Sequence, residues 1–201
     1  SFASNQNSIA TAVCSSAIGE GSSATATAAH SQGFGSIAGG LASHAEGYYT
    51  EAASNYSHSE GYRTDATNTA AHAEGYQSLA SGLYSHASNR NTTASATCAH
   101  AEGEGTSATA DAAHSEGFQS VASGFAAHAE GYETTASGLY SHAAGRSSSA
   151  TANSAAAIGY NLVADQENSA VVGQWNLENQ TGVLFAVGNG ANADNRSDAL
   201  Q

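Results

Sequence analysis

The sequence predicts an all-β fold, a flat solenoid in which each fourteen-residue coil contributes two short strands. Three observations predict it: histidine recurs at a constant interval, small residues alternate with larger or polar ones, and glycine returns at one fixed position. The nine histidines, each fourteen positions after the one before, are His30, His44, His58, His72, His86, His100, His114, His128 and His142.

The repeat is described by columns, numbered from the histidine of the same repeat as column 0. Column +1 is Ala or Ser after every histidine, column +6 is Ser or Thr from Ser8 to Ser148, and column +8 is Ala from Ala10 to Ala164. The register also continues on both sides of the histidines. Twelve repeats therefore fill residues 1–169, which we predict to form one β-roll, and residues 170–201 are predicted to hold an end coil and a transition strand.

A coiled coil is the alternative, because a period of fourteen is also two heptads. Column +3 is glycine in almost every repeat, and column +10 is glycine at Gly40, Gly82, Gly124 and Gly138. Each of these glycines would cost about 1 kcal/mol in a helix interior. The chain also has no lysine and few leucines. The pattern therefore favours strands.

Each repeat contains two runs in which small residues occupy alternate positions. Columns +13, +1 and +3 are small and flank the His and Glu of columns 0 and +2, and columns +6, +8 and +10 are small in the second run. Because side chains alternate across a strand, the small faces point into a narrow interior. We expect corners near columns +10 and +11 and at the glycines of column +3. These corner glycines are Gly33, Gly47, Gly61, Gly75, Gly103, Gly117, Gly131 and Gly145.

Such an interior has room only for methyl groups and hydroxyls, so the larger side chains must lie outside. Tyr48, Tyr62 and Tyr76 in column +4 and Tyr56 and Tyr84 in column +12 are examples. Burial of apolar area contributes about 25 cal/mol per Å², and the small interior offers little of it. We therefore expect the chain to need a partner surface and to form an oligomer.

The ends of the array resemble a known repeat. "SSAIGEGSSATATA" (Ser15–Ala28), "SAAAIGYNLVA" (Ser154–Ala164) and "SAVVGQWN" (Ser169–Asn176) are similar to the S-V-A-I-G-x-x-S-x-A repeat of YadA-like head domains of trimeric autotransporter adhesins. The likeness covers most of the chain. It implies a left-handed parallel β-roll assembled as a homotrimer.

The histidine-containing form, "SHAEGY", is more similar to fibre proteins of phages and prophages. This resemblance implies a non-enzymatic fibre segment on a virion tail or extracellular particle, which attaches to a host cell-surface receptor, a glycan or a surface protein. The alternative is the head domain of a bacterial surface adhesin, located on the cell surface. "VGNG…RSDAL" resembles the strand that leads into a C-terminal trimerisation or chaperone domain, which we do not expect within residues 170–201.

The resemblance places columns 0 and +2 between subunits, where adhesin heads have apolar residues. We expect these polar side chains to form a ladder of hydrogen bonds that holds three subunits in register. The ladder consists of all nine histidines together with Glu46, Glu60, Glu74, Glu102, Glu116 and Glu130.

Two other roles for this face stay open. Neutral imidazole is a good ligand for Zn²⁺ or Ni²⁺, so a metal or an anion could lie on the trimer axis. Because His and Glu two positions apart are about 7 Å apart along a strand, we expect such a site only between coils or subunits. A solvent-facing ladder that binds a receptor is the other role. The metal candidates are His44, His58, His72, His100, His114 and His128.

Composition excludes several classes of function. The net charge is -13, with four Arg and no Lys, which disfavours binding to nucleic acid or to an anionic membrane. No apolar run approaches the roughly 18 residues of a membrane span, so membrane insertion is not expected. Ser, His and Glu recur as columns rather than as one unique constellation, so we predict no catalytic residue, no enzyme activity and no cofactor. Ice binding through Ser and Thr of columns +6 and +9 is weaker, because column +6 should face the interior.

Overall fold

The chain folds entirely from short strands and turns. The computed structural model describes residues 1–200, and no helix occurs among them. These residues form a parallel β-solenoid of about 13 turns with coils of about 14 residues, as the repeat predicts. Two compact units are distinguished, Ser1–Gly103 and the residues from Glu104 onward.

In the first unit every coil contains one long and one short strand. Successive long strands pair in parallel, and so do successive short strands, each residue lying beside the residue of the same column in the next coil. The long strands are Phe2–Ser4, Ser16–Ile18, His30–Phe34, His44–Tyr48, His58–Tyr62, His72–Tyr76 and His86–Arg90. The short strands are Ile9–Ala10, Ser23–Ala24, Ile37–Ala38, Glu51–Ala52, Asp65–Ala66, Leu79–Ala80 and Thr93–Ala94.

The second unit repeats this arrangement. A further long strand, His100–Glu104, contains the division between the units. The long strands that follow are His114–Phe118, His128–Tyr132, His142–Arg146, Ala156–Tyr160, Ala170–Gln174 and Phe185–Asn189, and Asp198–Leu200 pairs antiparallel with the last of these. The short strands are Ser107–Ala108, Val121–Ala122, Thr135–Ala136, Ser149–Ala150 and Val163–Ala164.

The interior consists of small residues, which confirms the prediction from alternation. Ala45 in column +1 and Ala52 in column +8 are fully buried, and Thr50 in column +6 is 1% exposed. Some of the hydroxyls find partners across this narrow space, as where Ser59 Oγ donates to the Thr64 carbonyl oxygen at 2.7 Å. The Oγ1 of Thr50 is buried without a hydrogen-bond partner among the described residues. Since column +6 is buried, it is not part of any outer Ser/Thr face that could bind ice.

The corner predicted near columns +10 and +11 is confirmed, because the Ser43 N–H donates to the Gly40 carbonyl oxygen at 3.2 Å across a turn there. The other corner lies later than the sequence suggested. The glycines of column +3 are the fourth residues of the long strands, and the left-handed corner residues follow two positions later, in column +5, and again in column +12. Tyr49 and Tyr56 show this, with φ of 52° and 59°. The glycines therefore lie within the strand, two positions before the left-handed residue. This corrects the placement of Gly33, Gly47, Gly61, Gly75, Gly103, Gly117, Gly131 and Gly145.

Close packing of successive coils explains why column +3 is glycine. Gly47 has a φ of 129°, and a Cβ there would lie 2.1 Å from the carbonyl oxygen of Gly61 in the next coil. No side chain fits that gap, so glycine is required by space as well as by dihedral angle.

The regular array ends at a buried asparagine. Asn176 occupies column +6, where the other coils have mostly Ser or Thr, and is 2% exposed. Its Oδ1 accepts from the Val163 N–H at 2.8 Å, and its Nδ2 donates to the Val163 carbonyl at 2.9 Å. The side chain thus replaces the next short strand. The long strands nevertheless continue, because Phe185 pairs with Ala170 and Gly188 with Gly173 after a step of fifteen positions.

Candidate functional site

Within each unit the histidines form a ladder of neighbouring rings on the outer face of the long strands. Parallel in-register pairing places identical residues about 4.8 Å apart, which is the stacking distance of imidazole rings. In the first unit the centroids of His44, His58 and His72 are 4.8 and 4.7 Å apart, with interplanar angles of 20° and 8°. The first ladder contains His30, His44, His58, His72, His86 and His100, and the second ladder contains His114, His128 and His142.

Glutamates of column +2 contact the histidines of the same strand. The His58 Nε2 lies 3.3 Å from Glu60 Oε2, and the His44 Nε2 lies 3.5 Å from Glu46 Oε2. The expectation that the two groups stay as far apart as their positions along the strand was therefore wrong, since both side chains lean toward each other. Comparable contacts join His72 to Glu74, His100 to Glu102 and His114 to Glu116, at 3.9, 3.7 and 3.7 Å.

Some glutamates also reach a histidine of the following coil. Glu74 Oε1 lies 3.7 Å from His86 Nε2, and Glu130 Oε1 lies 3.4 Å from His142 Nε2. Both of these histidines lack a glutamate of their own, because column +2 holds Ser88 and Ala144 in those repeats. The carboxylates therefore link neighbouring coils within one chain, a contact that the sequence period did not reveal.

The environment of the stacks disfavours protonation. The histidine side chains are only 36–40% exposed. Burial lowers the pKa of His72, and the neighbouring His58 and His86 lower it further, while Glu74 and Glu60 oppose the shift. Burial and neighbouring histidines lower the pKa of His44 and of His128 in the same way. These three rings are therefore biased toward the neutral form, which can bind metal or accept a hydrogen bond.

One group of ligand atoms comes close enough together to hold an ion. Glu116, His128 and Glu130 each place one ligand atom within 4.8 Å of the other two. The Nε2 of His128 is buried and has no hydrogen-bond partner among residues 1–200. The other candidate ligands from the sequence lie in the same ladders, and each contacts the glutamate of its own strand. They are His44, His58, His72, His100 and His114.

The aromatic rings of column +4 also stack on one another. Phe34, Tyr48, Tyr62 and Tyr76 stack at 5.0–5.2 Å with interplanar angles of 2–11°. In the second unit Phe118 and Tyr132 stack at 5.0 Å, and the guanidinium of Arg146 lies 5.5 Å from the Tyr132 ring and 5.3 Å from the Tyr160 ring. The prediction that these side chains lie outside is confirmed, since Tyr48 and Tyr76 are 41% and 44% exposed.

Comparison with known proteins assigns no family to this arrangement. No protein-family model matches the sequence, and no curated protein matches it significantly. Among the described residues, none belongs to a helix with the length and apolarity needed to cross a membrane. Any function must therefore be argued from the ladders themselves.

Proposed function

We propose that the chain is a non-enzymatic segment of a trimeric fibre, part of a phage tail fibre or a phage-tail-like particle. The segment attaches the particle to a host cell surface. The observation that carries this proposal is the uniformity of the surface: the same columns of His, Glu and aromatic residues repeat coil after coil. An enzyme needs one unique site, whereas a fibre needs a repeated and extended contact.

The outer face of the long strands is the surface that two further copies of the chain would cover. Ile158 stands in column +2, in the place of the glutamates, and is 45% exposed. Column +2 is also apolar at Ile18 and Val172. Apolar residues that share a column with the ladder support burial of the whole face between subunits, at about 25 cal/mol for each Å² covered.

The corner tyrosines of column +12 are the best candidates for receptor contact. Tyr56, Tyr84 and Tyr140 are 60%, 59% and 60% exposed and stand at left-handed corners, away from the ladder face. Exposed tyrosine rings combine an apolar body with a hydroxyl, a combination that suits glycan and protein surfaces alike. The rings of column +4 suit this role less well, because they cover one another's faces in the stack.

Location and binding test the proposal together. Antibodies against the chain are used for immunogold electron microscopy of the producing cells and of the particles they release. Label on particle tails, together with saturable binding of the purified chain to host cells, is expected. Label confined to the bacterial envelope would favour the adhesin alternative, and label on neither structure would contradict attachment. The triple variant Tyr56→Ala, Tyr84→Ala and Tyr140→Ala should lose cell binding while keeping its circular dichroism spectrum.

A further inference from the structure

We propose that Glu116, His128 and Glu130 bind a divalent transition-metal ion of the Zn²⁺ class within a single chain. All three residues belong to the second unit, on the adjacent strands His114–Phe118 and His128–Tyr132. The site needs no partner subunit, so this proposal does not depend on the proposal of a trimeric fibre.

The spacing of the three ligand atoms suits an ion. Zn²⁺ binds imidazole nitrogen and carboxylate oxygen at about 2.0–2.2 Å, which places tetrahedral ligands about 3.4 Å from one another. The three atoms already lie within 4.8 Å of one another. Glutamate side chains are flexible and these are half-buried at the surface, so small torsional changes close the remaining distance. Water would complete the coordination sphere, as it does where protein supplies only three ligands.

The electrostatics of the two strands also call for a cation. Glu116 and Glu130 lie directly beside each other in the parallel pair. Like charges in that position are destabilising. The chain as a whole has a net charge of -13, with no lysine and only four arginines to compensate. A bound divalent cation would offset the repulsion between these two carboxylates.

The nitrogen of His128 is the donor that selects a transition metal over Ca²⁺ or Mg²⁺. Its Nε2 is buried and makes no hydrogen bond to any described residue, as is also true of His58 and His72. What distinguishes His128 is that a carboxylate oxygen of Glu116 and one of Glu130 both lie within 4.8 Å of its ligand atom. Imidazole nitrogen suits Zn²⁺, Ni²⁺ and Cu²⁺, whereas Ca²⁺ and Mg²⁺ prefer all-oxygen sites. The two ligand glutamates each contact a further histidine. Glu116 lies 3.7 Å from His114, and Glu130 lies 3.4 Å from His142. Those imidazoles would orient the ligating carboxylates.

The test is a titration of the metal-free chain with Zn²⁺ alone, in a buffer that does not bind metal. Isothermal titration calorimetry measures the binding. One saturable site per chain is expected. His128→Asn and Glu116→Gln should each weaken binding by about tenfold or more, since even indirect partners of a metal site alter affinity by about 10–100-fold. His30→Asn is the matched control: it removes an imidazole of the same column, whose column +2 neighbours are Ile18 and Gln32 and offer no carboxylate. This control should bind Zn²⁺ as the parent does.

X-ray absorption at the zinc edge keeps the proposal testable if a variant fails to fold. One imidazole nitrogen with oxygen ligands is expected in the parent chain. A zinc shell with several imidazoles or with none would overturn the assignment, as would absence of saturable binding or equal losses in the His128→Asn and His30→Asn variants.

Discussion

His58 and His72 stack face to face, with ring centroids 4.7 Å apart and planes only 8° from parallel. Two protonated imidazoles at this distance would repel each other, and His58 accordingly lowers the pKa of His72. The stability of the packed coils should therefore depend on pH.

Stability should fall as the pH is lowered through the histidine range. The pKa values of His44 and His72 are lowered from the ordinary 6.5 by burial and by their histidine neighbours. The unfolded chain then binds more protons than the folded chain below that value, so the free energy of unfolding decreases as the pH falls. The free energy of unfolding is measured by urea denaturation at pH 7.5, 6.5 and 5.5, with circular dichroism as the signal.

The variant His72→Gln is the companion measurement for this pH dependence. It removes one shifted group and separates His58 from His86, so the slope of stability against pH should become shallower. An unfolding free energy that rises on acidification would show that the ion pairs with Glu60 and Glu74 outweigh the repulsion between rings.

Removing a repulsive carboxylate pair should stabilise the first unit. Asp65 lies directly beside Glu51 in the sheet of short strands, and burial together with Glu51 raises the pKa of Asp65. The charged form is thus disfavoured at neutral pH, and Asp65→Asn should increase stability by about 0.2–1 kcal/mol. The gain should shrink as the pH is lowered toward the raised pKa of Asp65, because protonation removes the repulsion in the parent chain. A loss of stability at pH 7.5 would contradict the repulsion.

Gly47 and Gly39 should respond in opposite ways to replacement by alanine. The Gly47→Ala methyl group would meet the Gly61 carbonyl at 2.1 Å at a φ of 129°, so we expect a loss of about 3 kcal/mol or more. At Gly39 the nearest atom to a new Cβ is 3.5 Å away, so Gly39→Ala should be neutral or stabilise by up to about 1 kcal/mol. Melting temperatures of the two variants compare them directly, and equal effects would disprove the steric account of column +3.

Asn176 should be the most sensitive polar residue at the end of the array. Asn176→Ala leaves the Val163 N–H and carbonyl without their partners, at a cost of about 2 kcal/mol or more. Thr181→Ala, at an exposed position nearby, is the control and should change little. Hydrogen exchange of the Val163 amide should be faster in Asn176→Ala and unchanged in Thr181→Ala. Unchanged exchange in Asn176→Ala would contradict the view that the Asn176 side chain replaces the next short strand.

The sequence period predicted the strands and the buried columns, because a constant spacing with alternating small residues admits few folds. It predicted the corner near columns +10 and +11, but it placed the other corner two positions too early, at the glycines of column +3. The left-handed residues at columns +5 and +12 include Tyr49, Arg63, Gln77 and Cys98, which carry no turn signature. The left-handed conformation recurs at the same columns whatever the residue type, so residue type alone does not predict it.

The candidate site was predicted by residue type but not by contact. Column spacing placed His and Glu on one face, yet it gave no measure of how far the side chains lean or that Glu74 and Glu130 reach the next coil. The grouping of Glu116, His128 and Glu130 depends on those side-chain torsions. The same torsions join His44 to Glu46 and His58 to Glu60, and they bring Glu74 to both His72 and His86.

Multi-angle light scattering of the purified chain at pH 7.5 tests the central proposal, a trimer joined along the His and Glu ladders, most directly. One chain has a mass of 20.0 kDa, so the trimer is recognised by a mass three times as large. We expect the larger mass over a broad range of concentrations and its loss when the pH is lowered to 5. A single stable species of one chain at every concentration would contradict the trimer.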